Sequence, residues 1–265
     1  CYVRRKPSRP LRPASRKLAV FLGAESMVAG IYSTVMLGLQ RAASERDVKL
    51  LQNFNFSAAT PEKANAALSE CDGAILLGAD EYGGTYKRLS LRAPLVAVCS
   101  HDSNGGAMSL VDVDPFESAL QARDYFKRRR VSKILVVSHN APVFMNRGRI
   151  FSELWGREGG IAEPVEDSAE IPKLRKGDGC LFTSGGSMQK WCCAFKERHG
   201  HALPDSFPIL GIDGKNRIDP NYEQAPSISV DWQMAGRYAL EECMHRIDSP
   251  GAVPKRIYLP GKLCE

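Results

Sequence analysis

The stretch VDVDPFESALQARDYFKRRRVSKILVVS, residues 111–138, contains one complete strand–helix–strand unit and decides the fold class. Its opening apolar residues predict a strand, and Asp114 follows them as the cap of a helix. Pro115 at the first helical position and Glu117 in the first turn are typical of a helix start. The apolar run at 133–138 then predicts the returning strand. A strand, a helix and a second strand in this order favour a parallel sheet covered by helices.

The same alternation continues on both sides of this unit. Further apolar runs predict strands at 17–23, 48–54, 73–78, 94–100, 179–184, 207–213 and 227–230. The spacing of apolar residues predicts helices at 27–47, from Pro61 onward, and at 147–157, 187–200 and 233–247. Open twisted sheets rarely exceed about ten strands. The sequence therefore predicts an α/β protein with two Rossmann-like lobes, each built on a parallel sheet.

The positive charge of the chain is confined to its first residues. The sequence has 36 Lys and Arg against 30 Asp and Glu, which gives a formal charge of +6. Seven of the basic residues lie within residues 1–17, which contain no acid, so the remainder carries 29 basic and 30 acidic residues. This balance argues against a polyanion-binding surface on the folded part. The Pro- and Arg-rich segment 1–16 is predicted to be an extended linker.

Composition and motifs argue against membrane proteins and common enzyme classes. No apolar run approaches the ~20 residues that span a bilayer. The eight cysteines lack Cys-x-x-Cys spacing, which favours free thiols in a reducing compartment, so we predict a cytoplasmic protein. The sequence contains no phosphate loop ending in Gly-Lys-Ser/Thr, no nucleophile elbow and no His-Glu-x-x-His. We therefore predict no catalytic residues.

One group of residues invites a metal-site interpretation. Cys192, Cys193, His199 and His201 lie on one predicted helix and at its end. Buried thiols and a helix that stops at Gly200 account for the same pattern. The sequence therefore predicts no metal and no cofactor.

A series of segments in fixed order covers nearly all of residues 17–263. The segments are GIYSTVMLGLQRAASERDVKLL, PLVAV, residues 111–138, NRGRIF, ILGIDG, PSISVDWQMAGRYALEECMHRI and PKRIYLPGKL. Together they resemble the sensor module of the lactose-repressor (LacI/GalR) family, which shares its fold with type I periplasmic sugar-binding proteins. The resemblance implies a type I periplasmic-binding-protein-like fold with a ligand cleft between two lobes.

The resemblance also implies a DNA-binding partner domain. We expect residues 1–16 to be the linker from a missing N-terminal domain that binds operator DNA. Cys1, Tyr2 and Val3 resemble the last strand of a winged helix of the gluconate-repressor (GntR) type, as in arabinose repressors. In that case the missing domain is a winged helix, and otherwise it is a lactose-type helix-turn-helix.

The family's domain plan sets the expected lobes and the dimer surface. The first lobe is expected at residues 17–114 with about 232–248, and the second at 115–231 with about 249–265. Helices within 28–44 and 60–70 are the expected surface of a homodimer. Dimer symmetry would match a palindromic operator.

Two residues of the second lobe match ligand contacts of the family. Arg147 lies where the family carries an arginine into the cleft, and a guanidinium suits paired hydroxyls or a carboxylate. Asp213 lies where the family uses an aspartate to accept hydrogen bonds from sugar hydroxyls. The alternatives are that Arg147 or Arg149 solvates a helix start, and that Asp213 forms a turn before Gly214.

The hinge region offers two further candidates. Asp231 and Trp232 follow the strand at 227–230, where the chain crosses between lobes in this family. An indole face is a good platform for a sugar ring. A core tryptophan of the hinge is the alternative.

Further candidate ligand contacts lie in the first lobe, and two positions depart from the residues that the family usually has there. Glu25 and Ser26 lie in the loop after the first strand, and Tyr32 lies on the next helix, where packing is the alternative role. Cys99 and Ser100 occupy positions where many relatives place an aspartate, and Ser184 and Gly185 replace an Asn-Asp pair. We expect His101, Asp102 and Ser184 to substitute as ligand contacts, so the effector's identity stays open.

These observations lead to one functional hypothesis and one alternative. We expect the effector-sensing and dimerisation domain of a bacterial transcriptional repressor, which binds a small carbohydrate between its lobes. A periplasmic sugar-binding protein of a transporter is the alternative, because fold alone does not fix function. The basic segment 1–16 favours the regulator, and an enzyme on this scaffold ranks third.

Overall fold

The computed structural model describes residues 15–22, 30–53, 61–78, 93–101, 108–167, 175–200, 207–213 and 225–265. Within these ranges the chain forms two six-stranded sheets with helices packed on them. The predicted fold class, an α/β protein of two lobes, is confirmed. The predicted site residues Glu25, Ser26 and Asp102 lie outside the described residues, as does His201.

The elements alternate along the chain much as the apolar pattern predicts. They are β1 (Lys17–Leu22), α1 (Gly30–Glu45), β2 (Lys49–Asn53), α2 (Pro61–Ser69), β3 (Gly73–Leu77), β4 (Leu95–Val98), β5 (Ser109–Val113), α3 (Pro115–Arg128), β6 (Lys133–Ser138), α4 (Pro142–Gly156), β7 (Ile161–Glu166), β8 (Asp178–Phe182), α5 (Gly185–His199), β9 (Ile209–Ile212), β10 (Ser227–Val230), α6 (Trp232–Asp248), β11 (Arg256–Leu259) and β12 (Gly261–Cys264). Strands β7, β11 and β12 are not predicted by the sequence, and α4 begins earlier than predicted.

The first lobe is a parallel sheet of order β11-β5-β4-β3-β1-β2. Strands β3, β4 and β5 are buried along their whole length. Helices α1 and α6 cover one face of the sheet, and Leu68 of α2 packs on the other. A sheet covered on both faces explains why these strands are continuous apolar runs.

The second lobe repeats the arrangement with the order β12-β10-β9-β8-β6-β7. All neighbouring strands are parallel except β12, which runs antiparallel to β10. Helices α3 and α4 cover one face and α5 covers the other. Asp114 caps α3 as predicted, because its side chain accepts hydrogen bonds from the N–H groups of Phe116 and Glu117 at 2.8 and 3.0 Å.

The chain passes between the two sheets at three places, Asp114, Asp231 and Pro260. The third crossing requires a correction to the expected lobes. Residues from about 249 to 265 were expected in the second lobe, but β11 pairs in parallel with β5 of the first sheet. Only β12 joins the second sheet. The choice of partner for such a short strand depends on contacts distant in sequence, which its own residues do not specify.

Helices α1 and α6 approach each other backbone to backbone at two glycines. A Cβ atom added at Gly38 would lie 2.0 Å from the carbonyl oxygen of Gln233, and one added at Gly236 would lie 2.2 Å from that of Val35. The missing side chains therefore set the distance between the two helices. Because α6 follows the second crossing directly, this contact also fixes where the hinge at Asp231 meets the first lobe.

We expect Gly236→Ala to lower the free energy of unfolding by about 1–3 kcal/mol, since the new methyl group must push the two helices apart. Urea unfolding followed by circular dichroism measures the change. Gly156→Ala is the matched control, because no heavy atom lies within 4 Å of a Cβ at Gly156. Equal stability of the two variants would contradict the close contact of α1 with α6.

Candidate functional site

Arg147 is a charged residue on the buried face of helix α4. That face also carries Val143, Phe144, Phe151 and Trp155. Only 1% of the surface of Arg147 is exposed. A guanidinium keeps its charge inside a protein, so its N–H groups require acceptors.

The acceptors for Arg147 are two buried aspartates. Its Nη1 donates to both carboxylate oxygens of Asp213 at 2.8 Å and to the carbonyl oxygen of Thr183 at 3.2 Å. Its Nη2 donates to Oδ1 of Asp112 at 2.7 Å, and the sulfur of Cys99 lies 3.8 Å from the same nitrogen. Asp112 and Asp213 are only 8% and 5% exposed. Asp112, Arg147 and Asp213 are called the Arg147 cluster below.

The Arg147 cluster joins the two lobes. Asp112 lies on β5 and Cys99 directly follows β4, both in the first lobe, whereas Asp213 follows β9 and Thr183 follows β8 in the second. These positions lie at the carboxyl ends of parallel strands, where α/β proteins place their ligand sites. The predicted site residues Arg147 and Asp213 therefore meet at the junction between lobes, and they bind each other there.

Two residues at this junction have an unusual backbone conformation. The φ angle is 53° at Cys99 and 96° at Asp213, a region that residues other than glycine seldom adopt. Such conformations persist only where the surrounding structure fixes them, and they concentrate at functional sites. At Asp213, the conformation accompanies a carboxylate that is held against the guanidinium.

Asp112 is the member of the cluster that sequence analysis misses. It lies between Val111 and Val113 in a buried strand, and an acid in such a strand signals a buried charge that needs a partner. Its Oδ1 accepts a hydrogen bond from the N–H of Val113 at 2.8 Å as well as from Arg147. The partner is 35 residues away in sequence, so no local pattern identifies it.

The cluster holds one more negative charge than positive when both aspartates are ionised. Burial raises the pKa of Asp112 despite the opposing effect of Arg147, and it raises the pKa of Asp213 to about 6. Burial disfavours the charge on Arg147, but Asp112 and Asp213 outweigh that effect and raise the pKa of the guanidinium. Arg147 therefore stays charged, and the carboxyls take up a proton more readily than exposed ones.

The pKa of Asp213 predicts how stability depends on pH. With a pKa of about 6 in the folded chain against about 3.9 when unfolded, the folded state binds the proton more tightly. The free energy of unfolding should therefore fall as pH rises from about 4 to about 6 and level off above that. Compared with Asp213→Asn, the wild type should lose about 2 kcal/mol between pH 4.5 and 7.5 in urea unfolding. Parallel pH profiles of the two proteins would contradict this electrostatic assignment.

A cavity of about 850 Å³ lies along α4, β6 and β7, and none of Asp112, Arg147 and Asp213 is among its lining residues. Of its described lining residues, His101 belongs to the first lobe. Its second-lobe lining comes from α4, from β6 and the turn after it, and from β7: Val136, Ser138, His139, Asn140, Pro142, Met145, Asn146, Gly148, Arg149, Ser152, Ala162, Pro164, Val165 and Glu166. This volume suits a small organic ligand. Gly148, next to Arg147 in the sequence, lines the cavity, whereas Arg147 itself does not.

The polar candidates Asp231 and Ser184 act as helix caps. Asp231 precedes α6, and its Oδ1 accepts a hydrogen bond from the N–H of Met234 at 3.0 Å. Ser184 precedes α5, and its Oγ accepts one from the N–H of Ser187 at 3.1 Å. Capping explains why these residues occupy these positions.

The aromatic candidates Trp232 and Tyr32 belong to the core of the first lobe. They are 4% and 3% exposed, and both pack in the hydrophobic cluster formed by β1, β3, α1 and α6. This burial favours the core interpretation of Trp232 over a platform for a sugar ring. Val143 and Phe144 of the second lobe join the same cluster, so apolar contacts also connect the lobes.

The two cysteines of α5 differ in exposure, since Cys192 is buried and Cys193 is half-buried. Within the described ranges, no three His, Cys, Asp or Glu side chains are grouped to hold a metal ion. Burial, with a contribution from Cys193, raises the pKa of Cys192 to about 12. Cys192 therefore stays protonated at neutral pH.

Comparisons with known proteins identify the fold. No family model matches the sequence, and no curated protein matches it. Among solved structures, the chain is similar to a LacI transcriptional regulator from a Rhodococcus species, with 19% identity, a TM-score of 0.75, and 94% of this chain and 97% of that chain covered. None of the helices described in this chain is long and apolar enough to cross a membrane.

Two further similar structures contain sugars. One is a LacI family regulator from Enterococcus faecalis V583 with bound ribose, at 14% identity and a TM-score of 0.75, covering 94% of this chain and 97% of that chain. The other is a periplasmic binding protein/LacI transcriptional regulator from Alkaliphilus metalliredigens QYMF complexed with D-xylulofuranose, at 15% identity and a TM-score of 0.73, covering 95% and 98%. The chain therefore has the two-lobed fold common to these regulators and periplasmic binding proteins.

Proposed function

We propose that this chain is the effector-sensing and dimerisation module of a bacterial transcriptional regulator of the repressor type, with a small carbohydrate as effector. The observation that carries the proposal is the convergence of Arg147 and Asp213 at the junction between the lobes. A guanidinium donates to hydroxyl oxygens and a carboxylate accepts from hydroxyl hydrogens, so together they suit a polyol. The likeness to regulators that contain ribose and D-xylulofuranose supports this assignment.

The proposed mechanism is a change in the relative orientation of the lobes. A ligand shifts a conformational equilibrium only if it binds the two states with different affinity. The cavity has His101 from one lobe and His139 from the other in its lining, so a ligand that contacts both has its best fit at one lobe orientation. In a homodimer on operator DNA, that orientation would set the spacing of two DNA-binding domains.

This role requires no catalytic group, cofactor or metal. Both carboxylates of the Arg147 cluster are already paired with the guanidinium, which suits positioning rather than proton transfer. We therefore propose a binding protein rather than an enzyme. Its site of action would be the cytoplasm, where the operator is.

A thermal-shift screen tests the proposal. Pentoses, hexoses, aldonic and uronic acids and sugar phosphates are added to the wild type, to Arg147→Lys and to the control Arg157→Lys, which alters an exposed arginine just after α4. An effector at 100 times its Kd adds about 2.7 kcal/mol of stability, which is a rise in Tm of several degrees. We expect the rise in the wild type and the control, and its loss in Arg147→Lys.

Two results would contradict the proposal. One is the absence of any Tm increase with every compound in protein that is folded by circular dichroism. The other is an equal increase in all three proteins, which would place the bound compound away from Arg147.

A further inference from the structure

The Arg147 cluster points to the chemical class of the effector, on the basis of the proposed function. We propose that the carboxylate of Asp112 is an internal substitute for the acid group of an anionic sugar derivative. Asp112 accepts a hydrogen bond from Arg147 across the junction and so holds the lobes together. An effector with a carboxylate or phosphate displaces Asp112 and takes its place on the guanidinium.

The first argument is the incomplete pairing of one edge of the guanidinium. The Nε–H and one Nη2–H of an arginine point in the same direction and form a fork for a carboxylate or phosphate. In this chain, Nη2 donates to Oδ1 of Asp112, whereas the buried Nε has no hydrogen-bond partner among the described residues. Asp112 therefore uses only one of the two donors on this edge.

The second argument is energetic. A buried N–H without an acceptor costs about 1–3 kcal/mol. A free carboxylate or phosphate is not tethered to β5 and can accept from both Nε and Nη2 of Arg147, which Asp112 does not do. Neutral hydroxyls form weaker bonds with these donors than an anion does. An anionic ligand therefore competes with Asp112 better than a neutral sugar.

The third argument is the charge around the adjoining cavity. His101, His139 and Arg149 line it, and Glu166 is the acid among its described lining residues. His101 lies close enough to Asp112 to lower the pKa of that carboxyl, although burial has the larger and opposite effect. An anion in the cavity therefore lies near more basic than acidic side chains of the described lining.

The apolar part of the cavity suits the rest of such a ligand. Val136, Met145 and Val165 form apolar walls, against which the carbon face of a sugar can pack. Gly148 also lines the cavity and is the neighbour of Arg147 in the sequence.

Isothermal titration calorimetry on the wild type, Asp112→Asn and Glu166→Gln tests the inference. The probes are D-xylose, D-glucose, D-xylonate, D-gluconate, D-glucuronate and D-glucose 6-phosphate. Asp112→Asn removes the competing charge and leaves Arg147 paired with Asp213, so the variant should fold. Glu166→Gln removes an acid from the same cavity without touching Arg147, and it controls for a general change in electrostatic potential.

We expect at least one acid to bind Asp112→Asn about tenfold more tightly than the wild type, since a charge-assisted competitor is gone. The affinity of the corresponding neutral sugar for Asp112→Asn should differ from its wild-type value by less than about threefold, and so should the affinity of the acid for Glu166→Gln. Comparison of the sugar acids with D-glucose 6-phosphate shows whether the anionic group of the effector is a carboxylate or a phosphate. Asp112→Ser replaces Asp112→Asn if the latter does not fold.

The outcomes separate this inference from the proposed function. The proposed role of Asp112 is wrong if a neutral sugar binds and its affinity for Asp112→Asn rises as much as that of its acid. The role is also wrong if no acid binds this variant more tightly than the wild type. In both cases the sensor function stands. An equal increase in the affinity of Glu166→Gln for the acid would also contradict the proposed role of Asp112. If no probe binds any folded variant, both proposals fail.

Discussion

The structure depends on one charged group, the guanidinium of Arg147, which is buried between two carboxylates from different lobes. A buried charge whose partner is removed costs several kcal/mol, so such a group restricts where its partners can lie. Here the restriction acts across the interlobe junction, because β5 carries Asp112 and the end of β9 carries Asp213. The relative orientation of the lobes that satisfies both aspartates is therefore the one that these contacts favour.

Apolar packing supports the same orientation but is less selective. Val143 and Phe144 of α4 join the core of the first lobe, and apolar contacts of this kind tolerate sliding better than hydrogen bonds with fixed geometry do. The proposed anionic effector competes for a hydrogen bond of the ion cluster, whereas it does not compete for the apolar contacts. This combination suits a sensor, since an effector needs to change one polar contact to alter the balance between two lobe orientations.

Much of the fold is encoded in local sequence patterns, and the exceptions have physical causes. Asp114 and Pro115 predict the start of α3, because a cap uses only neighbouring residues. Strand β7 is not predicted because it is an edge strand with exposed residues and Pro164, so it has no apolar run. The pairing of β11 with β5 is not predicted because the two strands are far apart in sequence.

The site is predictable to a lesser degree. The family resemblance points to Arg147 and Asp213, and the structure brings them together. Asp112 is not predictable in this way, because its partner and its depth of burial become visible only when the lobes are assembled. Trp232 and Tyr32 show the converse problem, since an aromatic residue near a cleft has the same sequence signature whether it contacts a ligand or packs in the core.

Small-angle X-ray scattering from the ligand-free chain tests most directly whether the Arg147 cluster holds the lobes together. The wild type, Asp112→Ala and Glu166→Gln are compared at the same protein concentration and in the same oligomeric state. If the cluster holds the lobes, Asp112→Ala has a larger radius of gyration than the wild type, and Glu166→Gln does not. Superimposable scattering curves for all three proteins would contradict that role.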